Sequence, residues 1–477
     1  MSRIAFLVDC PQVESWQYKI IEIARKHYDV DIVTTRKGNS SDFFLRFHQK
    51  IDSLLFSNYK DIFSKVKIKP NDIKSNHYDF VVNFSHDFEN DLLKLNKQLF
   101  FVFGADFFTS SKYKGYEAFI NGSEIIEMHL VEVVNNQQRI IASISDTGNP
   151  VSYSKNLYKM LMMSSVIFER YLDGKVQYVS TESIELKNLS KINIFDFIIN
   201  LFKQLSAIFR RIYIKKIKIS QWQIWLEKDN KFSLLELDND FFYADPFIYK
   251  HQNHNYIFFE ELKFSDNKGY ISCYNIEKQE FKRKIVEEDF HLSYPNIFEY
   301  EGDIYMVPES SQDRSIRLYK CIEFPQKWEY QYNLMNDIIA FDTTFKYHNQ
   351  KWWMFTNVDE LGIDLDNSEL FIFSSDSPIS KEWEAHTKNP VVSDVRKSRP
   401  AGNIFSNNNT LIRPSQNSTR NYGRNVNLMK INKLSQDEYL EELIEVIEYD
   451  NFPGNHTYNF NEDYLVVDRF EIKEKKL

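Results

Sequence analysis

Ala244–Glu261 reads ADPFIYKHQNHNYIFFEE, and four later stretches repeat its grammar: SYPNIFEYEGDIYMVPES (Ser293–Ser310), FDTTFKYHNQKWWMFTNV (Phe341–Val358), RPAGNIFSNNNTLIRPSQ (Arg399–Gln416) and NHTYNFNEDYLVVDR (Asn455–Arg469). Each copy has a short opening word, an apolar-aromatic strand, a polar turn and a second strand that ends on polar or charged residues. A period of about 50 residues built from short strands signals a propeller, because each repeat is a sheet that cannot bury its faces alone. Five copies predict five blades. Third strands follow at Tyr270–Asn275, Ile316–Ile322, Leu370–Ser375 and Val426–Ile431, and Trp328 and Trp383 open fourth strands of two blades. Trp222–Leu226 precedes the first full blade and is placed to close the ring against the last copy, which protects otherwise open edges.

Working outward, residues 1–178 change character. Apolar runs at Ile4–Val8, Asp31–Thr34, Phe80–Phe84 and Leu99–Phe103 read as buried strands, with helical periodicity between them as in Ser15–Lys26. A hairpin-like pair (Ile125–Val134, Arg139–Ser145) and a helix over Asn156–Leu172 follow. The expected fold of this part is α/β with a mostly parallel sheet, ahead of an all-β propeller over 220–472. Between them, 179–219 reads as a linker containing an amphipathic helix that ends in Arg210, Arg211, Lys215, Lys216 and Lys218. Two readings stay open for it: a helix packing its apolar face on a neighbour, or one lying in the plane of an anionic membrane surface.

Composition narrows the function. A net charge of −9 over 477 residues, with no long basic block, argues against nucleic acid as a partner. The three cysteines (Cys10, Cys273, Cys321) have no CxxC spacing, so neither a disulfide framework nor a zinc site is expected, and a reducing cytoplasm fits. MSRIAFLVDC does not read as a signal peptide, and no stretch reaches membrane-span length.

The opening positions of the five copies carry Asp245, Tyr294, Asp342, Arg399 and His456. Their second strands end at Glu260–Glu261, Glu309, Asn357–Asp359, Arg413/Gln416 and Asp468/Arg469. A carboxylate at such a place is costly unless solvated or paired, so the recurrence points to a polar pocket on the propeller axis. Asp245, Glu309 and Asp342 form a three-carboxylate set of the kind glycosidic chemistry uses as base, acid and tuning residue. Arg399, Arg413 and Arg424 add donors suited to phosphate or carboxylate, and Tyr294, Glu261, Gln416 and His456 complete the candidate binding set. The alternative is that these residues pair with one another and brace the axis. The Asn421–Arg424 turn reads equally well as a plain loop. Asp364-Leu365-Asp366 has the spacing of a metal motif in an inter-strand loop and reads as chance, so no metal site is expected.

The ordered words ADPF, HLSYP, MVPES, FDTTF, SDVRKSRPAG, RPSQ, YGR and HTYN, within residues 220–470, resemble the propeller at the N-terminus of plant glucosamine inositolphosphorylceramide transferases. The same domain occurs in bacterial proteins of surface-polysaccharide clusters, and it is similar to the five-bladed propellers of glycoside hydrolase family 43. That resemblance implies Asp245 as base or its stand-in, Asp342 as the tuning or orienting residue and Glu309 as the acid candidate, although its blade is not the one that supplies the acid in those hydrolases. The N-terminal part is similar to a formyltransferase-like domain. VFGADFFTSSKYKGYEAF keeps Asp106 and the Tyr113-Lys114 pair of that pattern but has Gly104-Ala105 where the catalytic His belongs. The expected domain is therefore degenerate and not dependent on folate. Taken together the resemblance implies a carbohydrate-active enzyme of surface-glycan assembly, a glycosyltransferase first, with a nucleotide-sugar donor and a glycan or lipid-linked glycan acceptor at the cytoplasmic face of a membrane. Amino-sugar-nucleotide N-formyltransferase, glycoside hydrolase and non-catalytic glycan binder are the alternatives.

Overall fold

The computed structural model describes residues 2–35, 43–56, 64–70, 78–85, 97–104, 115–135, 137–176, 194–266, 268–360, 362, 365, 367–408, 410–419, 422–449 and 454–474. The chain forms two compact units, Met1–Tyr213 and Ile214–Leu477.

The first unit is built on a six-stranded sheet ordered Asp29–Thr34, Arg3–Val8, Val81–Asn83, Gln98–Phe103, Ile125–Val134 and Gln137–Thr147. The first four strands are parallel, and the last two form the expected antiparallel hairpin. Central parallel strands are covered on both faces, which is why they read as unbroken apolar runs. Ile4, Ala5, Phe6 and Leu7 are all fully buried. Five helices accompany the sheet among the described residues: α1 (Ser15–Arg25), α2 (Phe43–Leu55), α3 (Tyr116–Ile120), α4 (Tyr153–Leu172) and α5 (Ile194–Ile217). Ser152 caps α4, its hydroxyl accepting the Lys155 amide. The division at Tyr213 places most of α5 in the first unit rather than in a separate linker over 179–219.

The second unit is an all-β propeller of five four-stranded antiparallel sheets. Blades one to three start at Phe241–His251, Ser293–Tyr300 and Ala340–His348, and blade four starts at the short strand Phe405–Asn407. Blade five is composite: Tyr458–Phe460 pairs with Leu465–Glu474, which pairs in turn with Lys218–Lys228, so the ring is closed by the segment around Trp222. Each neighbouring pair of blades shares an apolar cluster. Phe258, Ile271, Met306 and Tyr319 join blades one and two, and Phe298, Val307, Phe345 and Met354 join two and three. Trp353, Leu370, Leu411 and Ile431 join three and four; Ile412, Val426 and Tyr458 join four and five. Ile224, Phe241, Phe259 and Val466 complete the circle. A blade buries both faces only in the closed ring, which explains why five copies act as one unit.

Candidate functional site

The inner strands of blades one, two and three break register after their first residues, between Ala244 and Phe247, Ser293 and Asn296, and Phe341 and Thr344. The first residue of each bulge has a left-handed backbone: Asp245 at φ 52°, Tyr294 at 44° and Asp342 at 52°. Asp tolerates this conformation; a tyrosine there is an outlier that its surroundings must hold in place. A bulge re-aims a side chain that a regular strand would send to a blade face, and here it aims at the axis.

At the axis the second strands meet these residues. Glu260, Glu309 and Asn357 each stand fifteen positions after Asp245, Tyr294 and Asp342, opposite the residue before each bulge. Two linked charge clusters result. In the first, Arg399 donates from Nε to Asp342 Oδ2 at 2.6 Å and from Nη2 to Asp342 Oδ1 and Glu309 Oε2, both at 3.3 Å. Gln416 Nε2 adds a 2.6 Å bond to Asp342 Oδ2 and a 2.9 Å bond to Pro400 O. Burial and neighbouring Asp342 push the Glu309 carboxyl up to about 8, with Arg399 opposing. The shift favours the protonated form of Glu309, against the pull of Arg399.

In the second cluster His456 lies between two acids, Nδ1 2.7 Å from Asp468 Oδ2 and Nε2 3.3 Å from Asp245 Oδ1. Asp468 accepts the amides of His456 and Thr457 on Oδ1 and of Asp245 on Oδ2. Burial works against charging His456, but Asp468 and Asp245 outweigh it and raise its pKa to about 9. Burial alone would raise Asp468; the His456 charge and the amides hold it below the usual range. Burial takes Asp245 to about 7, with His456 opposing and Asp342 and Glu260 adding to the rise; Thr457 Oγ1 donates to it at 2.9 Å. Asp245, His456 and Asp468 also form the one group of metal-type donors found among the described residues. An imidazolium offers no lone pair, and Asp468 is already filled by amides, so this trio satisfies itself by charge.

Glu260 pairs with His291, Nε2 to Oε1 3.1 Å. Burial opposes a charge on His291, yet Glu260, Glu309 and Asp245 draw its pKa up to about 9. The Gly269 amide pulls the other way, donating to Nδ1 at 2.9 Å and favouring a neutral ring with its proton on Nε2. His291 therefore sits with Nδ1 accepting from Gly269 and Nε2 toward Glu260, since a protonated Nδ1 cannot accept.

Over these groups lie two rings. The Trp222 ring lies tilted against the His456 ring, centroids 4.1 Å apart. Tyr422 is 5.1 Å from His456 and 4.9 Å from the Arg399 guanidinium, and it is 41% exposed. Buried acids beside an exposed aromatic ring are groups suited to a ligand with many hydroxyls and an apolar ring face.

The sequence-predicted residues fall into three groups. Asp245, Glu309, Asp342, Arg399 and His456 come together as described. Tyr294 and Gln416 reach the same region but are fully buried. The Tyr294 hydroxyl accepts the Gly402 amide at 2.6 Å and lies 2.9 Å from Thr344 Oγ1, so Tyr294 is a brace between blades rather than a ligand contact. Gly402, at φ 132° and packed against Tyr458 O, has no room for a side chain. Glu261 and Arg413 are off the site. Glu261 points to the opposite strand face from Glu260 and is held by Arg283 Nη1 at 2.7 Å and Ser272 Oγ at 2.5 Å. Arg413 is fully buried, with Nη2 donating to both oxygens of Glu441 at 2.9 Å. Arg424 is exposed on the Tyr422 turn, donating to Thr419 Oγ1 at 3.2 Å. Asp106, Tyr113 and Lys114 lie outside the described residues, as do Asp364 and Asp366. Sequence reasoning did not single out His291, chose Glu261 from the Glu260–Glu261 pair, and left the turn that carries Tyr422 open between site and plain loop. Counting fifteen positions from each opening residue would have selected Glu260 over Glu261.

Residues 236–470 match the family model for glucosamine inositolphosphorylceramide transferase 1, N-terminal. The match is to the propeller. Glucosamine inositolphosphorylceramide transferase 1 of Oryza sativa subsp. japonica is 35% identical over 207 residues, covering 42% of this chain and 27% of that protein. Its Arabidopsis thaliana counterpart is 32% identical over the same share. The chain thus spans about a quarter of the length of the curated relatives it matches. Among solved structures, a thermostable family-43 glycoside hydrolase aligns with TM-score 0.35 at 12% identity over 49% of this chain and 88% of its own. A family 117 glycoside hydrolase of Zobellia galactanivorans aligns with TM-score 0.36 at 11% identity over 53% and 90%.

Proposed function

We propose that the propeller mouth is the carbohydrate-handling site of a glycan-assembly enzyme, of the glycosyltransferase class, that works on a glycan or lipid-linked glycan acceptor in the cytoplasm. The observation that carries this is that two buried carboxyls, Glu309 and Asp245, stand on either side of Asp342 in the linked clusters, both raised by burial and by Asp342, with the exposed ring of Tyr422 beside Arg399 and His456. General acid–base catalysis needs two such groups with separated roles. Asp245 would take the proton of an acceptor hydroxyl as its oxygen bonds to the anomeric carbon. Glu309 would give its proton to the departing oxygen as the donor's bond breaks. Asp342, clamped by Arg399 and Gln416, sets the field at Glu309 and is a positioning residue. The resemblance of the propeller to proteins named as glucosamine inositolphosphorylceramide transferases supports the transferase reading.

Arg399 and Arg413 are committed to carboxylates inside the protein, and Arg424 stands exposed beside Tyr422 on the same turn. The same acid pair would also serve hydrolysis, which is the second reading. The formyltransferase-like reading of the first unit rests on sequence resemblance alone.

Calorimetric titration of oligosaccharides and nucleotide-sugars, with transfer and free-sugar release assayed in parallel, tests the proposal. Tyr422→Ala should weaken glycan binding at least about tenfold, the scale of one aromatic contact, with the melting temperature nearly unchanged. Glu309→Gln should keep binding and lose turnover. Binding and turnover unaffected by either change would sink the proposal; sugar release to water without transfer would move it to hydrolysis.

A further inference from the structure

Helix α5 has a buried face and an exposed apolar one. On the buried face Phe197, Asn200 and Gln204 are covered within the first unit. Gln204 is pinned there by hydrogen bonds to His48 and Asp52, and Phe197 packs against Phe44 and Phe47 of α2 at 5.7 Å. The second face is turned about a third of the circumference away, from the 100° advance per residue. It carries Ile194, Phe195, Ile198, Phe202, Phe209 and Ile212, which are 49%, 74%, 54%, 74%, 69% and 51% exposed. On α2, Phe43 and Phe47, 71% and 46% exposed, continue it past Phe197. A contiguous patch of this size does not stay bare on a soluble surface.

The charges around it select what covers it. Lys203 and Arg210 fall along one edge of the exposed stripe, Arg211, Lys216 and Lys218 are exposed toward its C-terminal end, and Arg46 and Lys50 are exposed on α2. Among the described side chains of the two helices the sole acid is Asp52, and it is fully buried, receiving the amides of Tyr153 and Ser154 at the N-terminus of α4. A locally cationic rim in a chain of net charge −9 is poorly matched to a second copy of itself, since like rims would meet. It is well matched to an anionic bilayer, where aromatic and aliphatic side chains enter the headgroup boundary and flanking Lys and Arg stay with the phosphates. No helix among the described residues is long and apolar enough to cross a membrane.

We propose that α5, with the exposed edge of α2, is an in-plane anchor that seats the first unit on an anionic phospholipid surface. This deepens the lipid-linked acceptor of the functional reading but stands on exposure and charge alone, so it survives if the propeller proves not to act on sugars.

The test is co-sedimentation of the full chain with phosphatidylglycerol-containing vesicles and with pure phosphatidylcholine vesicles, at low and high salt. Wild-type protein should pellet with the anionic vesicles, less with the neutral ones, and less again at high salt. Phe202→Ser with Phe209→Ser should abolish pelleting. Lys203→Gln with Arg210→Gln should reduce partitioning by about fivefold per lost cation. Circular dichroism and melting temperature should match wild type in both, because all four side chains are exposed. Failure of the wild type to bind anionic vesicles overturns the proposal. So does a dimer in sedimentation velocity that the Phe202/Phe209 double variant dissolves while vesicle binding is absent, which would assign the patch to a second copy.

Discussion

His456 in the propeller and His48 in the first unit are both buried beside acids, yet they settle in opposite charge states. Burial favours the neutral ring in each case. His48 yields to it: its pKa is lowered by burial, against weaker pulls from Gln204 and Asp52. Its hydrogen bonds fit a neutral ring, with Tyr116 Oη 2.6 Å from Nδ1 and Gln204 Oε1 2.8 Å from Nε2. Asp52 fixes the direction of that relay by accepting the Gln204 amide at 2.5 Å. His456 does the reverse because two carboxylates face its two nitrogens. In the first unit the buried acids are met by donors: Asp52 by Gln204 and two backbone amides, Asp146 by Lys159, and Glu132 by Lys97 and Arg139. The propeller axis gathers Asp245, Glu260, Glu309, Asp342 and Asp468 against Arg399 and His456, an excess of acid that taking up protons relieves. Burial alone therefore does not mark a site; unbalanced buried charge does.

The hardest blow to this contrast is the removal of Arg399. Arg399→Met leaves Asp342 buried without its counter-charge, and losing one partner of a buried pair costs about 3–5 kcal/mol. Urea denaturation at neutral pH should show that loss. A loss below about 1 kcal/mol at neutral pH would mean that the axis is solvated and that the charge excess is relieved by water.

The contrast also explains what could be seen in the sequence. The blades were legible because five copies repeat and because Trp222–Leu226 had a strand to close on. The parallel sheet was legible from apolar runs such as Ile4–Val8. Asp245, Asp342, Arg399 and His456 were legible as a set because the copies align their opening residues. Glu261 and Arg413 were misplaced for separate reasons. Neighbouring strand residues face opposite ways, and a count of fifteen rather than proximity was needed to choose Glu260. The partner that withdraws Arg413 from the mouth, Glu441, comes from a later strand of the same blade, which no local word announces. Tyr294 was read as a ligand contact because its left-handed backbone and its reach to Gly402 depend on two other blades. His291 sits on the loop between blades one and two and Tyr422 on the turn between the second and third strands of blade four, where alignment of the opening words says nothing.

A smaller effect should follow in the first unit. Asp52→Ala strands the Gln204 amide and the Tyr153 and Ser154 amides that the carboxylate now accepts. The expected cost is about 2–3 kcal/mol, the scale of a lost helix cap with unsatisfied buried donors. Glycan binding by the propeller should be unchanged. A sugar-binding defect in this variant, with the propeller still folded, would show that the two units do not divide the work as their charge states suggest.

The finest test is the sign of the pH response, which the contrast requires to differ between the units. Glu309 has its carboxyl raised from 4.5 to about 8, Asp245 from 3.8 to about 7 and His456 from 6.5 to about 9. A raised folded pKa gives stability that is fully present below the unfolded value and lost as pH rises through the folded one. The propeller should therefore melt lower as pH climbs from about 5 to about 8. His348 and His386, away from the axis, are shifted down by burial and soften the trend below pH 6.5. The first unit should do the opposite in the acid range. His48 is lowered, and burial takes His129 down to about 4, so their stability is present above pH 6.5 and is lost as pH falls toward 4. Scanning calorimetry across this range should show two transitions moving in opposite directions. Glu309→Gln removes one titrating proton, so it should flatten the propeller's alkaline slope by at most about 1.4 kcal/mol per pH unit and leave the first unit's transition where it was. Two transitions that move together, or a slope that Glu309→Gln leaves intact, would mean that the axial acids are ionised pairs of the same kind as the Asp52 network, and the case for acid chemistry at Glu309 would fall with them.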